Sequence, residues 1–192
     1  MGDRERLFRG LSEEVEGCGR CGLCARARNR VVGEGNLDSR VVFVGEAPGR
    51  REDESGRPFV GSAGKLLDGL LAGAGLSRRE VFISNVVMCR PPENRKPTRA
   101  EVEVCSGHLE SLLEIIGPKV VAPMGNSAVE YFFAKYGIDG AVIGNVHGKS
   151  RRVTMPWGEV VIFPLYHPAA TIYNRGLRGE LEVDMVTLAR LL

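Results

Sequence analysis

Short apolar runs that alternate with helix-like stretches constrain this 192-residue chain more than any other feature. Arg40-Val-Val-Phe-Val-Gly45, Val81-Phe-Ile-Ser-Asn-Val-Val-Met88 and Lys119-Val-Val-Ala-Pro-Met124 read as short, largely apolar strands. Pro123 cannot donate to a ladder, which either makes the third run suspect as a strand or places it near a sheet edge. Between the runs lie Leu66 to Ala74, apolar at helical spacing and stopped by Gly75, and Thr98 to Ile116, where Thr98 and Glu101 make a capping box. A charged helix from about Asp3 to Glu16 comes first, Gly125-Asn-Ser127 opens another, and a last one runs from about Gly179 to Leu192. Val153 to Trp157 and Glu159 to Leu165 read as a hairpin turning at Pro156-Trp157-Gly158.

This alternation predicts a three-layer α/β/α sandwich with a central, mainly parallel, twisted sheet, in one domain spanning residues 1–192. A chain of this size buries a substantial core without disulfides. In such sheets ligands bind beyond the carboxyl ends of the strands. Glu46, Asn85, Gly125 and His167 all fall at or just after an expected strand end, so four separate segments converge on one crevice.

Hydrophobic residues make up 43% of the chain, and the longest apolar stretches, Val41 to Val44 and Val160 to Pro164, are far too short to cross a bilayer. Met1 to Gly10 is charged and lacks the apolar core of a secretory signal, so a cytoplasmic location with no membrane partner is expected. The net charge of +2 does not announce a nucleic-acid binder, yet arginines cluster at Arg26 to Arg30, Arg50 to Arg57, Arg90 to Arg99, Arg151 to Arg152 and Arg175 to Arg178, mostly in loop-like segments. The chain has no Gln, a depletion of thermolabile amides that fits a thermophilic source.

Five cysteines in a cytoplasmic chain point to metal or cluster binding rather than disulfides. Cys18, Cys21 and Cys24 lie three residues apart, while Cys89 and Cys105 come from a distant segment. A cluster or a zinc ion takes four thiolates, so one cysteine is spare, and spacing alone allows either Cys18/Cys21 or Cys21/Cys24 as the first pair. Either group would staple the amino-terminal loop to the segment 89–105.

The stretch Gly45-Glu-Ala-Pro-Gly-Arg-Arg-Glu-Asp-Glu-Ser-Gly-Arg-Pro-Phe-Val-Gly61 is rich in glycine but lacks the Gly-Lys-Ser/Thr ending of a phosphate-binding loop, and its acidic residues would repel a phosphate. It offers a carboxylate at a strand end and a nearby aromatic ring, which suit a neutral planar ligand and a water. Gly45-Glu-Ala-Pro-Gly49 with Gly56-Arg-Pro-Phe-Val-Gly61, Asn85 in Ser-Asn-Val-Val, Cys89-Arg-Pro-Pro-Glu-Asn-Arg95 and His167-Pro-Ala-Ala170 together resemble the iron-sulfur class of uracil-DNA glycosylases, family 4 of that superfamily, from about Cys18 to the carboxyl end. A related branch that crosslinks to uracil-DNA carries a basic insert ending in a nucleophilic His after the second strand. Cys89-Arg-Pro-Pro stands there in this chain, so that activity is not expected.

The resemblance implies a monofunctional hydrolase that releases uracil from DNA and leaves an abasic site, the first step of base excision repair. It implies a [4Fe-4S] cluster on Cys18, Cys21, Cys89 and Cys105, with Cys24 spare. It also implies that Phe59 stacks on an everted uracil, that Asn85 pairs with the base's N3 and O4, and that His167 stabilises the leaving anion near O2. Glu46 would orient the attacking water, Gly45 and Ala47 would line the base pocket, and Glu52 would crowd the uracil C5 and exclude thymine. The segment from His167 to Arg178 would supply a wedge and phosphate contacts, with Leu177, Arg175 and Tyr173 as candidates, and Ser127 at a helix start would receive a phosphate. His108 and His147 read as structural. Expected partners are uracil-containing DNA, single- or double-stranded, and a sliding clamp or other repair proteins; the chain is expected to be a monomer. The alternatives are a same-fold glycosylase for deaminated adenine or mismatched thymine, a non-catalytic iron-sulfur nucleic-acid-binding protein, or a redox carrier, all disfavoured by the combination of Glu46, Phe59, Asn85 and His167.

Overall fold

The three apolar runs become neighbouring parallel strands. A computed structural model describes residues 2–192, the side chain of Tyr173 excepted. Its elements are, in order, α1 (Asp3–Glu16), β1 (Glu34–Gly35), β2 (Val41–Gly45), α2 (Arg50–Ser55), α3 (Ser62–Gly73), β3 (Phe82–Asn85), a 3-10 turn (Pro92–Asn94), α4 (Arg99–Ile116), β4 (Val120–Pro123), α5 (Asn126–Lys135), α6 (Ile143–Val146), β5 (Arg151–Met155), β6 (Gly158–Ile162), α7 (Ala170–Tyr173) and α8 (Gly176–Ala189).

The sheet runs β1-β3-β2-β4-β6-β5. Its four inner strands are parallel, while β1 and β5 pair antiparallel at the two edges. All of β2, β3 and β4 is buried, as expected of central strands covered on both faces, and in β3 this burial includes the polar Ser84 and Asn85. Crossovers between parallel strands are almost always right-handed, which for this strand order assigns α3 to one face and α4 and α5 to the other. In keeping with this, α1 packs on α4 and α3 on α8. No helix among the described residues is long and apolar enough to cross a membrane.

Pro123 lies in a central strand and not near an edge. It is tolerated there as the last residue of β4, where its carbonyl still accepts from the Leu165 amide (2.9 Å). The second strand leaves the ladder at Asn85, earlier than expected, although the Val86 and Val87 amides still donate to the carbonyls of Gly45 and Glu46. The capping box forms as read: Thr98 Oγ1 accepts from the Glu101 amide and the Glu101 carboxylate accepts from the Thr98 amide. α3 and α8 start a turn or so ahead of the apolar periodicity.

The chain leaves β2 toward β3 on one side and leaves β4 toward β6 on the other. Their carboxyl ends therefore flank a topological switch point, the place where such sheets open a crevice.

Candidate active site

Glu46 follows β2, Asn85 ends β3, Gly125 and Ser127 begin the turn into α5, and His167 follows β6. All of them, with Ala47, Glu52 and Phe59, line one pocket of about 770 Å³. Across the switch point the Ser127 hydroxyl donates to Glu46 Oε2. Beside this pocket lies a second hollow of about 780 Å³ between α4 and α5, which shares Glu46, Ser127, Lys96 and Glu130 with it. The Lys96–Glu130 ion pair (2.6 Å) stands at their common boundary.

Glycines make room for the functional side chains. A Cβ at Gly45 would lie 2.5 Å from Asn85 Oδ1 and 2.8 Å from Phe59 Cζ, so a side chain there would push both out of place. Gly125, at φ +85, lets His167 approach where a Cβ would come within 3.0 Å of its own. Asn85 is 2% exposed, and its amide takes none of the hydrogen bonds found among the described residues, which leaves it for a ligand. The rings of Phe59 and His167 lie 5.6 Å apart, tilted by 32°.

Two effects fix the state of His167. Desolvation at the pocket wall lowers its pKa to about 4 despite the nearby Glu52 carboxylate, so the imidazole is neutral at pH 7. The Ala169 amide donates to its Nδ1 (3.2 Å), which leaves the single ring proton on Nε2. A neutral imidazole of fixed tautomer is a hydrogen-bond donor suited to an oxyanion.

Phe59 has a left-handed backbone (φ 51), uncommon for any residue but glycine. Glu52, on the short α2, accepts from the amides of Val60 (2.9 Å) and Gly61 (2.8 Å) through one oxygen. The next residue, the buried Asp53, accepts from the Arg28 amide (2.9 Å) and so ties α2 to the cysteine-rich stretch.

In the segment after His167, Arg175 is exposed, whereas Leu177 is part-buried against the core. The apolar side chain that projects is Ile172, 48% exposed and not singled out in the sequence. The side chain of Tyr173 lies outside the described residues. His108 is buried, and His147 is held by Asp184 (2.7 Å).

All five cysteines are free thiols around a third, small hollow under the end of α1, which Arg30 and His108 also line. Among the described residues no three His, Cys, Asp or Glu side chains close in tightly enough to hold a metal ion. The donor chemistry nonetheless fits a group larger than one ion. Arg30 Nε and His108 Nε2 are buried without a hydrogen-bond partner and line this hollow. Burial, reinforced by the neighbouring cysteines, pushes Cys89 up to about 12 and Cys105 up to about 11, so thiolates would persist here only against a cationic group. The Met88 amide donates to Cys105 Sγ (3.3 Å), as it would to a ligating sulfur. The Cys24 thiol is instead turned to the Cys21 carbonyl (2.6 Å).

The fold and pocket define a class: an α/β/α domain in which the parallel strand tips and the loop after α2 gather an aromatic ring, an amide, a neutral imidazole and a carboxylate around one hollow. Residues 32–187 match the family model of the Uracil DNA glycosylase superfamily. The chain is 44% identical over 182 residues to the type-4 uracil-DNA glycosylase of Sulfurisphaera tokodaii, covering 94% of this chain and 83% of that one. Over the same length it is 45% identical to the type-4 enzyme of Archaeoglobus fulgidus, covering 94% and 91%. Similarity to the type-4 enzyme of Thermotoga maritima is 44% over 175 residues, 91% and 88% of the two chains. The chain belongs to the uracil-DNA glycosylase superfamily.

Proposed function

We propose that this protein hydrolyses the N-glycosidic bond of uracil in DNA, releasing the base and leaving an abasic site. The observation that carries the reading is the convergence of Phe59, Asn85, His167 and Glu46 on one pocket at the switch point of the sheet. The relatives named as type-4 uracil-DNA glycosylases support uracil over the other bases weighed above, and an enzyme over a binding module or electron carrier.

The scissile bond is hidden in a duplex, so the nucleotide must swing out of the stack, at a cost of a few kcal/mol that pocket contacts offset. Phe59 supplies a face for the everted base to stack on. Asn85 supplies one donor and one acceptor, which match the O4 and N3–H of uracil. Cytosine presents the reverse order, and the mismatch would leave buried polar groups unpaired on both sides. As the bond breaks, negative charge grows on the base, and the Nε2 proton of His167 can donate to O2 without a charge having to form first. With Glu46 Oε2 occupied by Ser127, its other oxygen is free to orient the attacking water and to favour the cationic sugar. Arg175 and the start of α5 would meet phosphates, and the exposed Ile172 is better placed than Leu177 to fill the gap left by the base.

Cys18, Cys21, Cys89 and Cys105 would hold a [4Fe-4S] cluster, with Cys24 spare. When bound, the cluster would act as a staple between the amino-terminal loop and the segment 89–105.

The test is incubation with oligonucleotides carrying uracil, inosine, a thymine mismatch or only normal bases, followed by alkali. Breakage confined to the uracil strand is expected. An intact uracil strand, or breakage at inosine or thymine instead, would overturn the assignment.

A further inference from the structure

We propose that Glu52 and Arg78 are positioning residues that lock Phe59 in its stacking pose before any base arrives, a proposal that rests on the uracil-excising reading of this pocket. Phe59 sits in backbone geometry that a phenylalanine does not adopt unaided. Something must hold it there, and the groups that do so surround it on every side.

Upstream, the Arg78 guanidinium donates from Nη1 to the Phe59 carbonyl (3.0 Å) and from Nη2 to the Pro58 carbonyl. It is itself anchored on Asp68 (3.0 Å). Downstream, Glu52 Oε1 takes the amides of Val60 and Gly61. Three consecutive peptide groups, 58–59, 59–60 and 60–61, are thus fixed by opposite charges from separate parts of the chain, the middle one at both its carbonyl and its amide. Behind it, Gly64 lets the Phe59 carbonyl press against α3, where a Cβ would overlap it at 1.7 Å. Gly49 and Gly61 enclose the Glu52 carboxylate: a Cβ at either would stand 2.8 Å or 3.2 Å from its oxygens. The carboxylate therefore has little freedom to swing toward a ligand. Its geometry suits a fixed acceptor for backbone amides better than a gate against the thymine methyl.

The two roles separate experimentally. Glu52→Gln keeps an oxygen where the two amides need it, while Glu52→Ala removes it. Val60 and Gly61 amide protons should be protected from hydrogen exchange in the wild type and in Glu52→Gln, and exchange freely in Glu52→Ala. Single-turnover uracil excision should fall about 100-fold in Glu52→Ala, the cost of a misplaced contact. Most of the rate should return in Glu52→Gln, with affinity for undamaged DNA held in all three and no gain of thymine excision. Arg78→Met should reproduce the Ala result from the other side of the turn and stands in if Glu52→Ala does not fold. A Glu52→Ala protein that keeps the wild-type rate, gains thymine excision, or is matched in its loss by Glu52→Gln would overturn the clamp. A wild type inactive on uracil would instead sink the functional reading, while amide exchange would still report on the clamp.

Discussion

The Ser127 hydroxyl donates to the Glu46 carboxylate across the point where the sheet's connections diverge, joining residues 81 apart in sequence. One residue lies at the tip of β2 and the other in the first turn of α5, so the bond ties together the two walls of the crevice. Ser127 therefore reaches the site through Glu46, whatever its backbone does for a phosphate.

Removing that hydroxyl should cost turnover and not binding. Ser127→Ala is expected to lower kcat about 10- to 100-fold, less than the roughly 100- to 10,000-fold of losing a general base outright, with KM little changed, and Ser127→Thr should restore most of the rate. Steady-state kinetics on a uracil oligonucleotide check this; a rise in KM at constant kcat would make Ser127 a DNA contact alone.

His167 should titrate far below an ordinary histidine. An NMR pH titration is expected to give a midpoint of about 4, against 6.5 for an unperturbed imidazole. Between those values the unfolded chain binds a proton at this position that the folded chain refuses, so this residue lowers stability as pH falls from 6.5 toward 4 and has no effect above 6.5. A midpoint near 6.5 would mean an open, solvated ring and would remove the neutral-donor role.

Much of this architecture is legible in the amino-acid sequence, and the exceptions have physical causes. Thr98 and Glu101 declare a helix start because their pattern satisfies backbone amides locally. The convergence of Glu46, Asn85, Gly125 and His167 follows once the strands are parallel, since their carboxyl ends then share one edge. By contrast, α2 hides inside a glycine- and arginine-rich stretch: it is six residues long, too short for an apolar period to show. Its signals were Gly49 at the start, Glu52 and Asp53 in the first turn and the left-handed Gly56 at the end. With that helix unseen, the two backbone amides that Glu52 accepts from are unseen as well. Pro123 misleads for the opposite reason, because a local rule about donors cannot know that the strand ends there. Leu177 and Ile172 are both apolar in one segment, and only packing against the core tells which one projects.

That last pair makes a separate prediction. Ile172→Ala should weaken excision from duplexes about tenfold while sparing single strands, which have no stack to fill, as expected of an apolar side chain wedged between base steps. Leu177→Ala should chiefly lower the melting temperature, since it trims packing against the core. Parallel assays on both substrates with thermal melts test this, and equal losses on single and double strands for Ile172→Ala would contradict it.

The cysteines can be sorted by colour. Purified without chelators, the protein should be brown with about four iron atoms per chain, as a [4Fe-4S] cluster requires. Cys24→Ala should keep both colour and iron, because its thiol is turned to the Cys21 carbonyl. Alanine at Cys18, Cys21, Cys89 or Cys105 should bleach the protein. A colourless, zinc-loaded wild type, or bleaching by Cys24→Ala, would contradict the ligand set.

The strand tips are expected to read one everted uracil through the Asn85 amide. The most direct test is the single-turnover rate of uracil release by the wild type and by Asn85→Asp on the same oligonucleotide. Replacing a donor by an acceptor should slow release at least about 100-fold while melting temperature and affinity for undamaged DNA stay close to wild type. Equal rates for the two proteins would mean that Asn85 does not read the base.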